Sequence, residues 1–493
     1  MTDRTLREIA AMSGGVLTDS VQAARDGAAG APTVTDVVTD SRQAGQGSLF
    51  VAVVGERTDG HRHVPAAAAQ GAVAALVSDV DAVRSAMAEA GRDPDSLPLV
   101  VVPDTVEALG GLARAHLARL REQAAERGQT LSVVAMTGSV GKTTTKDLTR
   151  QVLAAQAPTV APVASFNNEI GLPLTVLRAQ PTTRYLVLEM GASGPGHIDY
   201  LTSIAPLDAA AVLMIGHAHM GGFRSVDGVA RAKSEIVTGL LPTGVAVLNL
   251  DDPRAAAMRE LAPGRVLTFS ADGDPAADLR ACDVELDEQA HAVLDLHLPG
   301  AQPQRLRLGL PGRHNVANAL AAAGLCLAAG LEPSHVVQGL AGAGMESPHR
   351  MDVCERGSLL VVDDSYNANI DSMTAALQAL PSLAGDRRRV VIISEMLELG
   401  SASQADHART GELVAAAGAQ VLVTIGQGAA PAAQAAGQAG VRTIELPDVQ
   451  SAIELLDSDQ SPLRPRDAVL VKGSNGSGAW RVADHLTATD KED

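Results

Sequence analysis

Apolar and polar positions alternate along this chain in blocks whose character changes from one stretch to the next. In the first hundred residues the apolar runs 48–53, 73–78 and 99–102 are separated by Ala-rich stretches, which predicts a small α/β unit. Asp104 reads as an N-cap, and Val106, Leu109, Leu112, Leu117 and Leu120 follow at helical spacing before a charged connector over 121–129. A domain boundary is expected near Pro103. Beyond it the runs 131–136, 185–188 and 209–215 each end in polar residues, the pattern of parallel strands covered on both faces. Between 245 and 310 the segments shorten and turns multiply, as at 292–298 and 304–310, so a β-rich subdomain or flap is expected. After Glu346 a fresh alternation begins, with strands predicted at 359–362, 389–393, 420–425, 441–446 and 468–472, a Rossmann-like order. The fold class is α/β in three domains: a small N-terminal α/β domain over 1–103, a central parallel-sheet domain over 104–345, and a C-terminal Rossmann-like domain over 346–493.

Composition narrows what such a molecule can do. At 493 residues the chain is too long for one ordinary domain. A net charge of −18 argues against a general nucleic-acid surface or an anionic membrane surface. Three cysteines, Cys282, Cys326 and Cys354, lie far apart without metal-ligand spacing, which points to a reducing compartment. Residues 1–15 mix charges with short apolar groups and lack the apolar core of a signal peptide, so a cytoplasmic protein is expected. The longest uncharged apolar run, 319–331, is shorter than the roughly 20 residues of a membrane span and reads as a buried helix. With one Trp, three Tyr and four Phe, the cores must be built from Ala, Val and Leu.

The chemistry concentrates after the strand at 131–136. Thr137, Gly138, Ser139, Val140, Gly141, Lys142, Thr143, Thr144 and Thr145 form a phosphate-binding loop between that strand and a helix. The glycines let backbone N–H groups approach a polyphosphate at the positive helix N-terminus; Lys142 would reach the β- and γ-phosphates and Thr143 would hold Mg²⁺. The standard spacing wants a glycine at Met136, so this loop is a shortened version. Glu189, ending the run at 185–188, can offer hard oxygen to Mg²⁺; otherwise it is a cap or a solvent-facing carboxylate. His217 and His219 follow the run ending at Ile215, and only one need be a ligand. Lys233 lies in a helical stretch where a solvated lysine is the default.

In register along the chain stand 137–145, Ser165-Phe-Asn-Asn-Glu-Ile-Gly-Leu-Pro-Leu174, His219 with Ala232-Lys233, Leu310-Pro-Gly-Arg-His-Asn-Val-Ala-Asn318 and Asp363-Asp-Ser-Tyr-Asn-Ala-Asn369. Together they resemble the Mur ligases, and the likeness runs from Asp40-Ser-Arg42 to Lys472-Gly-Ser474. The resemblance implies an ATP-dependent amide ligase that phosphorylates a peptide carboxylate and lets an amine attack the acyl phosphate, in cytoplasmic peptidoglycan precursor synthesis. Within the family it is similar to the branch that adds D-alanyl-D-alanine to UDP-N-acetylmuramoyl tripeptide. It implies Mg²⁺, two ions, held by Thr143, Glu189, His219 and a CO₂-derived carbamate on Lys233. Asn315 or Asn318 would read the adenine, Arg350 a phosphate and Asp364 the ribose, with Tyr366 and Asn367 beside the base. Asp363-Asp364 also reads as a strand-to-helix cap. The N-terminal domain would hold the UDP end through Ser41 and Arg42, and Asn167 and Asn168 would line the muramoyl peptide's path. No membrane insertion and a monomer are expected.

Three departures from the family pattern bear on detail. His349 stands where a glycine is common, Ser394-Glu-Met-Leu-Glu-Leu-Gly400 replaces a Gly-Asp start, and Asn475 follows Lys472-Gly-Ser474 in place of an arginine. The rival readings are a sister ligase adding one amino acid, a ligase diverted to another peptide, and a nucleotide-binding regulatory protein. Asp251-Asp-Pro-Arg254 superficially matches a sister's selecting motif but precedes the third domain, and reads as a turn.

Overall fold

A computed structural model describes residues 3–18, 33–55, 58–163, 165–216, 223 and 225–488. The chain forms two compact units: Met1–Ala135 with Gln156–Gly191 and Ile198–Asp208, and Met136–Ala155 with Ala192–His197 and Ala209–Asp493.

In the first unit a five-stranded sheet runs in the order Val16–Leu17, Leu99–Val101, Ala74–Val77, Ser48–Val51, Asp36–Val38. All neighbours are parallel except Val16–Leu17. Phe50, Val64, Val77, Met87 and Leu99 fill its core beneath the helices Val64–Gln70 and Val80–Glu89. Asp104 accepts from Val106 N–H and Glu107 N–H and so starts the helix Thr105–Glu126. That helix runs through most of the expected connector. Leu120 and Ala124 are buried one turn apart, and Arg121 donates to Asp208 Oδ2 at 2.7 Å and to Pro206 O at 2.9 Å. The charges at 121–126 are therefore the outer face of a packed helix. The same unit pairs Tyr185–Glu189 in parallel with Thr159–Val160.

In the second unit the strands Leu240–Asn249, Arg265–Ser270, Leu279–Leu286, His291–His297 and Gln304–Pro311 are consecutive neighbours in one sheet. The first three pair in parallel and the last three as antiparallel hairpins. The expected β-rich stretch is thus present, as strands that continue one sheet. The helix Asn315–Ala328 is buried along most of its length, as its apolar run predicts.

Residues beyond 346 build a six-stranded sheet ordered Asp352–Arg356, Leu359–Asp364, Ala468–Lys472, Arg389–Ser394, Val421–Ile425, Arg442–Leu446. Five of its strands are those expected, all parallel. The sixth, Asp352–Arg356, pairs antiparallel at the edge; its charged, half-exposed residues hide it from a hydrophobic reading. Apolar clusters cover both faces. Because the last strand inserts between the first two parallel ones, the carboxyl ends at Asp364, Lys472 and Ser394 stand side by side.

Candidate active site

The strand Ser132–Thr137 delivers the chain to the shortened loop, and the helix Lys142–Ala154 leaves it. Gly141 caps that helix at φ 84°, a left-handed conformation open to glycine. A Cβ there would sit 2.3 Å from Asn318 Oδ1, so the loop is wrapped against a buried amide as well as turned sharply. Asn318 Nδ2 donates to Asn315 Oδ1 at 2.8 Å, Asn315 Nδ2 donates to Pro311 O at 2.7 Å, and Thr145 Oγ1 donates to Asn318 Oδ1 at 3.4 Å. Both asparagines are therefore brought to the loop's side. Ser139 Oγ accepts from Gly216 N–H at 2.8 Å, tying the loop to the segment after Leu207–Val212.

Two ammonium groups converge here. Lys142 Nζ donates to Gly138 O at 2.8 Å, and Lys233 Nζ, from the helix Val226–Thr238, donates to the same oxygen at 3.0 Å. Lys233 is 2% exposed, so the surface-lysine default is wrong for it. Two lysine side chains on one carbonyl beside a helix N-terminus gather donors of the kind a polyphosphate binds. Thr143 is buried in the first turn of the same helix.

Glu189 is the last residue of Tyr185–Glu189 and 1% exposed, so it is not a solvent-facing carboxylate. Asn167 Nδ2 donates to its Oε1 at 2.7 Å, and Asn167 O accepts from Gly191 N–H at 2.8 Å. A Cβ on Gly191 would approach Asn167 Oδ1 to 3.0 Å, a tight contact that would press on the amide. Asn168 Oδ1 accepts from Gly171 N–H at 2.9 Å, entering the helix Gly171–Leu177. His219 lies outside the described residues. Ser41 and Arg42 occupy a single turn capped by Asp40, whose carboxylate receives Arg42 at 2.6 Å. The exposed guanidinium holds the Asp40 carboxyl well below the usual carboxylate range, at about 2.

In the C-terminal sheet Arg350 lies over the Tyr366 ring, 4.2 Å from its centroid. His349, at φ 60°, occupies a backbone position that favours glycine, so the histidine is held there at a conformational cost. Its Nδ1 bonds Asp363 Oδ2 at 2.7 Å, and its ring tilts against Trp480. Asp363 Oδ1 accepts from Ser365 N–H at 3.1 Å. Asp364 receives the Lys472 ammonium and, at 3.2 Å, Met351 N–H; Lys472 also donates to Asn367 O at 3.0 Å. The cap of the helix Ile370–Ala384 is Asn369, so Asp363 and Asp364 are not its cap. Lys472 is the residue in this cluster that sequence reasoning did not nominate; its place in Lys-Gly-Ser after a buried strand was the available signal. The other two departures meet: Ser394 Oγ bonds Ser477 Oγ at 2.6 Å, and Leu397 N–H donates to Ser474 Oγ at 2.9 Å. Asp251-Asp-Pro-Arg254 opens a short helix, Pro253–Ala257, capped by Asp252, instead of forming only a turn. Among the described residues no helix is long and apolar enough to cross a membrane.

A Gly-Lys-Thr loop between a sheet strand and a helix, with two lysines on its carbonyl, defines a nucleotide-phosphate-binding α/β protein. Family models match in order along it: Mur ligase family, catalytic domain at 33–117, Mur ligase middle domain at 136–326 and Mur ligase, glutamate ligase domain at 349–475. The chain belongs to the Mur ligase family. It is 39% identical, over 99% of each chain, to the UDP-N-acetylmuramoyl-tripeptide–D-alanyl-D-alanine ligase of Mycobacterium bovis, and 35% identical to that of Escherichia coli over 92% of this chain and 94% of the relative. A MurF crystal structure from Acinetobacter baumannii superposes with TM-score 0.81 at 31% identity over 99% of each chain. MurF of Thermotoga maritima in complex with ADP gives TM-score 0.72 at 25% identity over 92% of this chain and 96% of that one.

Proposed function

We propose that this chain is the ATP-dependent ligase that joins D-alanyl-D-alanine to UDP-N-acetylmuramoyl tripeptide, a cytoplasmic step in peptidoglycan precursor synthesis. The observation that carries the reading is full-length similarity to ligases of that name combined with a loop built for polyphosphate. A carboxylate is a poor electrophile because an oxide would have to leave. Transfer of the γ-phosphoryl group of ATP to the tripeptide carboxylate supplies a leaving group; the dipeptide's amine then attacks, forming the amide and releasing phosphate. Lys142 and the helix N-terminus stabilise charge on the transferring group. The amine's reference pKa of about 8 leaves a neutral fraction near neutral pH, so positioning counts for more than a general base.

The donor set suits Mg²⁺: a buried hydroxyl at Thr143 and a buried carboxylate at Glu189, both hard oxygen ligands. These residues, with His219, would hold the metal, which when bound neutralises phosphate charge. Asn167 orients the Glu189 carboxylate through its amide. A carbamate on Lys233 would convert the second ammonium at Gly138 O into an anion able to order a second ion, and the burial of Lys233 supports this. On this reading Asn315 and Asn318 serve the adenine, Arg350 a phosphate, Asp364 the ribose with Tyr366 and Asn367 nearby, Ser41 and Arg42 the UDP end, and Asn167 and Asn168 the peptide path. The domains divide near 103 and 345.

Phosphate release is measured with ATP and Mg²⁺, with both peptide substrates together and with each alone. Release requiring both, and a product heavier by the dipeptide residue, is expected. Turnover only with a single amino acid would move the chain to a sister ligase.

A further inference from the structure

One face of the helix that follows the phosphate loop grips the linker leading into the C-terminal sheet. Lys146 and Asp147 are each 1% exposed and form an ion pair at 2.5 Å. Lys146 Nζ donates to Ser347 Oγ at 3.1 Å, and Asp147 Oδ2 accepts from Ser347 N–H at 3.0 Å. One turn on, Arg150 engages both carboxylate oxygens of Glu346, with Nε to Oε2 at 2.7 Å. Gln151 donates to Gly344 O at 2.7 Å and accepts from Gly344 N–H at 3.1 Å. Positions i, i+1, i+4 and i+5 of one helix thus bond the linker from 344 to 347.

A buried ion pair is weak evidence for stability, since an apolar pair of equal volume often does as well. What such a pair supplies is a fixed geometry. Both ends of this one matter. One turn before Lys146 stands Lys142 at the phosphate site, and three residues beyond Ser347 stands Arg350 over Tyr366. No element other than this helix and the short linker need intervene between the two.

We infer that Lys146, Asp147 and Ser347, with Arg150 and Glu346 outside them, form a positioning clamp through which the phosphate-loop helix sets where Arg350 meets the bound nucleotide. The inference rests on the nucleotide reading of the loop but not on the identity of the peptide substrates. Its test therefore uses nucleotide affinity alone: titration of the full-length protein with ADP and Mg²⁺, without peptides.

Lys146→Met is expected to weaken ADP binding about tenfold, within the range that coupling through packed networks delivers, and Lys146→Arg to recover most of it. In an Arg350→Ala background the same Lys146→Met change should alter affinity less than about twofold, because the arginine it positions is gone. Thermal melting checks that each variant is folded. If Lys146→Met does not fold, the pair Ser347→Ala and Arg150→Gln, which leaves no buried charge unpaired, takes its place with the same two comparisons. Wild-type affinity in the folded clamp variants overturns the inference, as does an undiminished loss in the Arg350→Ala background. Failure to ligate D-alanyl-D-alanine would refute the proposed reaction and leave this result standing.

Discussion

Gly141→Ala tests whether the shortened loop is held in one conformation by its neighbours. Two costs arise together. At φ 84° an alanine meets the penalty of the left-handed region, about 1–2 kcal/mol. Its Cβ also arrives 2.3 Å from Asn318 Oδ1, well inside contact. Asn318 can retreat only by loosening its bonds to Asn315 and Thr145, each contributing about 1 kcal/mol. The conformation shown here is thus disfavoured by about 3 kcal/mol. The loop can escape by refolding locally, so the loss should fall on phosphate binding instead of on the fold. At about 1.4 kcal/mol per tenfold, ADP affinity should drop roughly a hundredfold, while the melting temperature moves only a few degrees. Calorimetric titration with ADP and Mg²⁺ reads the first and circular dichroism the second. Affinity within threefold of wild type would refute the argument, for the loop would then tolerate a side chain that these neighbours exclude.

Other consequences follow from single contacts. Asn167→Ala removes the amide that orients Glu189; the Mg²⁺ concentration for half-maximal phosphate release should rise about tenfold, and an unchanged Mg²⁺ dependence would count against Glu189 as a ligand. His116 donates Nε2 to Ala179 O and is pushed down to about 4 by burial, so the unfolded chain takes up its proton first. Its contribution is whole above about pH 6.5 and is lost as pH falls toward 4, up to about 3 kcal/mol; His116→Gln should flatten that part of the stability profile in urea titrations. His349→Gly relieves about 1 kcal/mol of left-handed backbone cost but removes a bond to the buried Asp363 carboxylate that is worth about 2 kcal/mol. A net loss near 1 kcal/mol is expected by denaturant midpoint, and a more stable variant would show that the backbone cost dominates.

The parts of this molecule that were legible in the sequence are those whose cause is local. Four strands of the C-terminal sheet, Leu359–Asp364, Arg389–Ser394, Val421–Ile425 and Ala468–Lys472, announce themselves as short apolar runs, because both faces of a parallel strand are covered. The phosphate loop is legible for the same reason: its glycines, lysine and threonine act within a few residues of one another. Where helical apolar spacing was diluted by charge, as over 121–126, the reading ended the helix too soon, since Arg121 finds its partner at Asp208 and not in its own segment. Lys233 shows the same limit on the chemical side. Its local sequence is that of a surface helix, and its burial against Gly138 O comes from a loop nearly a hundred residues earlier, 95 in the chain.

Asp364 and Lys472 carry this reasoning to its end. They are 108 residues apart, and what joins them is the order of the sheet: the last strand inserts beside the first parallel one, in a register that sets Asp364 opposite Lys472. No periodicity in either strand encodes that insertion, which is a property of the strand order alone. The carboxylate proposed to meet the ribose is thus held by an ammonium whose position depends on the whole C-terminal topology. A nucleotide that engages Asp364 must share it with Lys472, so Lys472→Met should change ADP affinity through Asp364, and an Asp364→Asn background should abolish that change. Independent effects of the two substitutions would mean that the pair only closes the sheet, and that the ribose contact lies elsewhere.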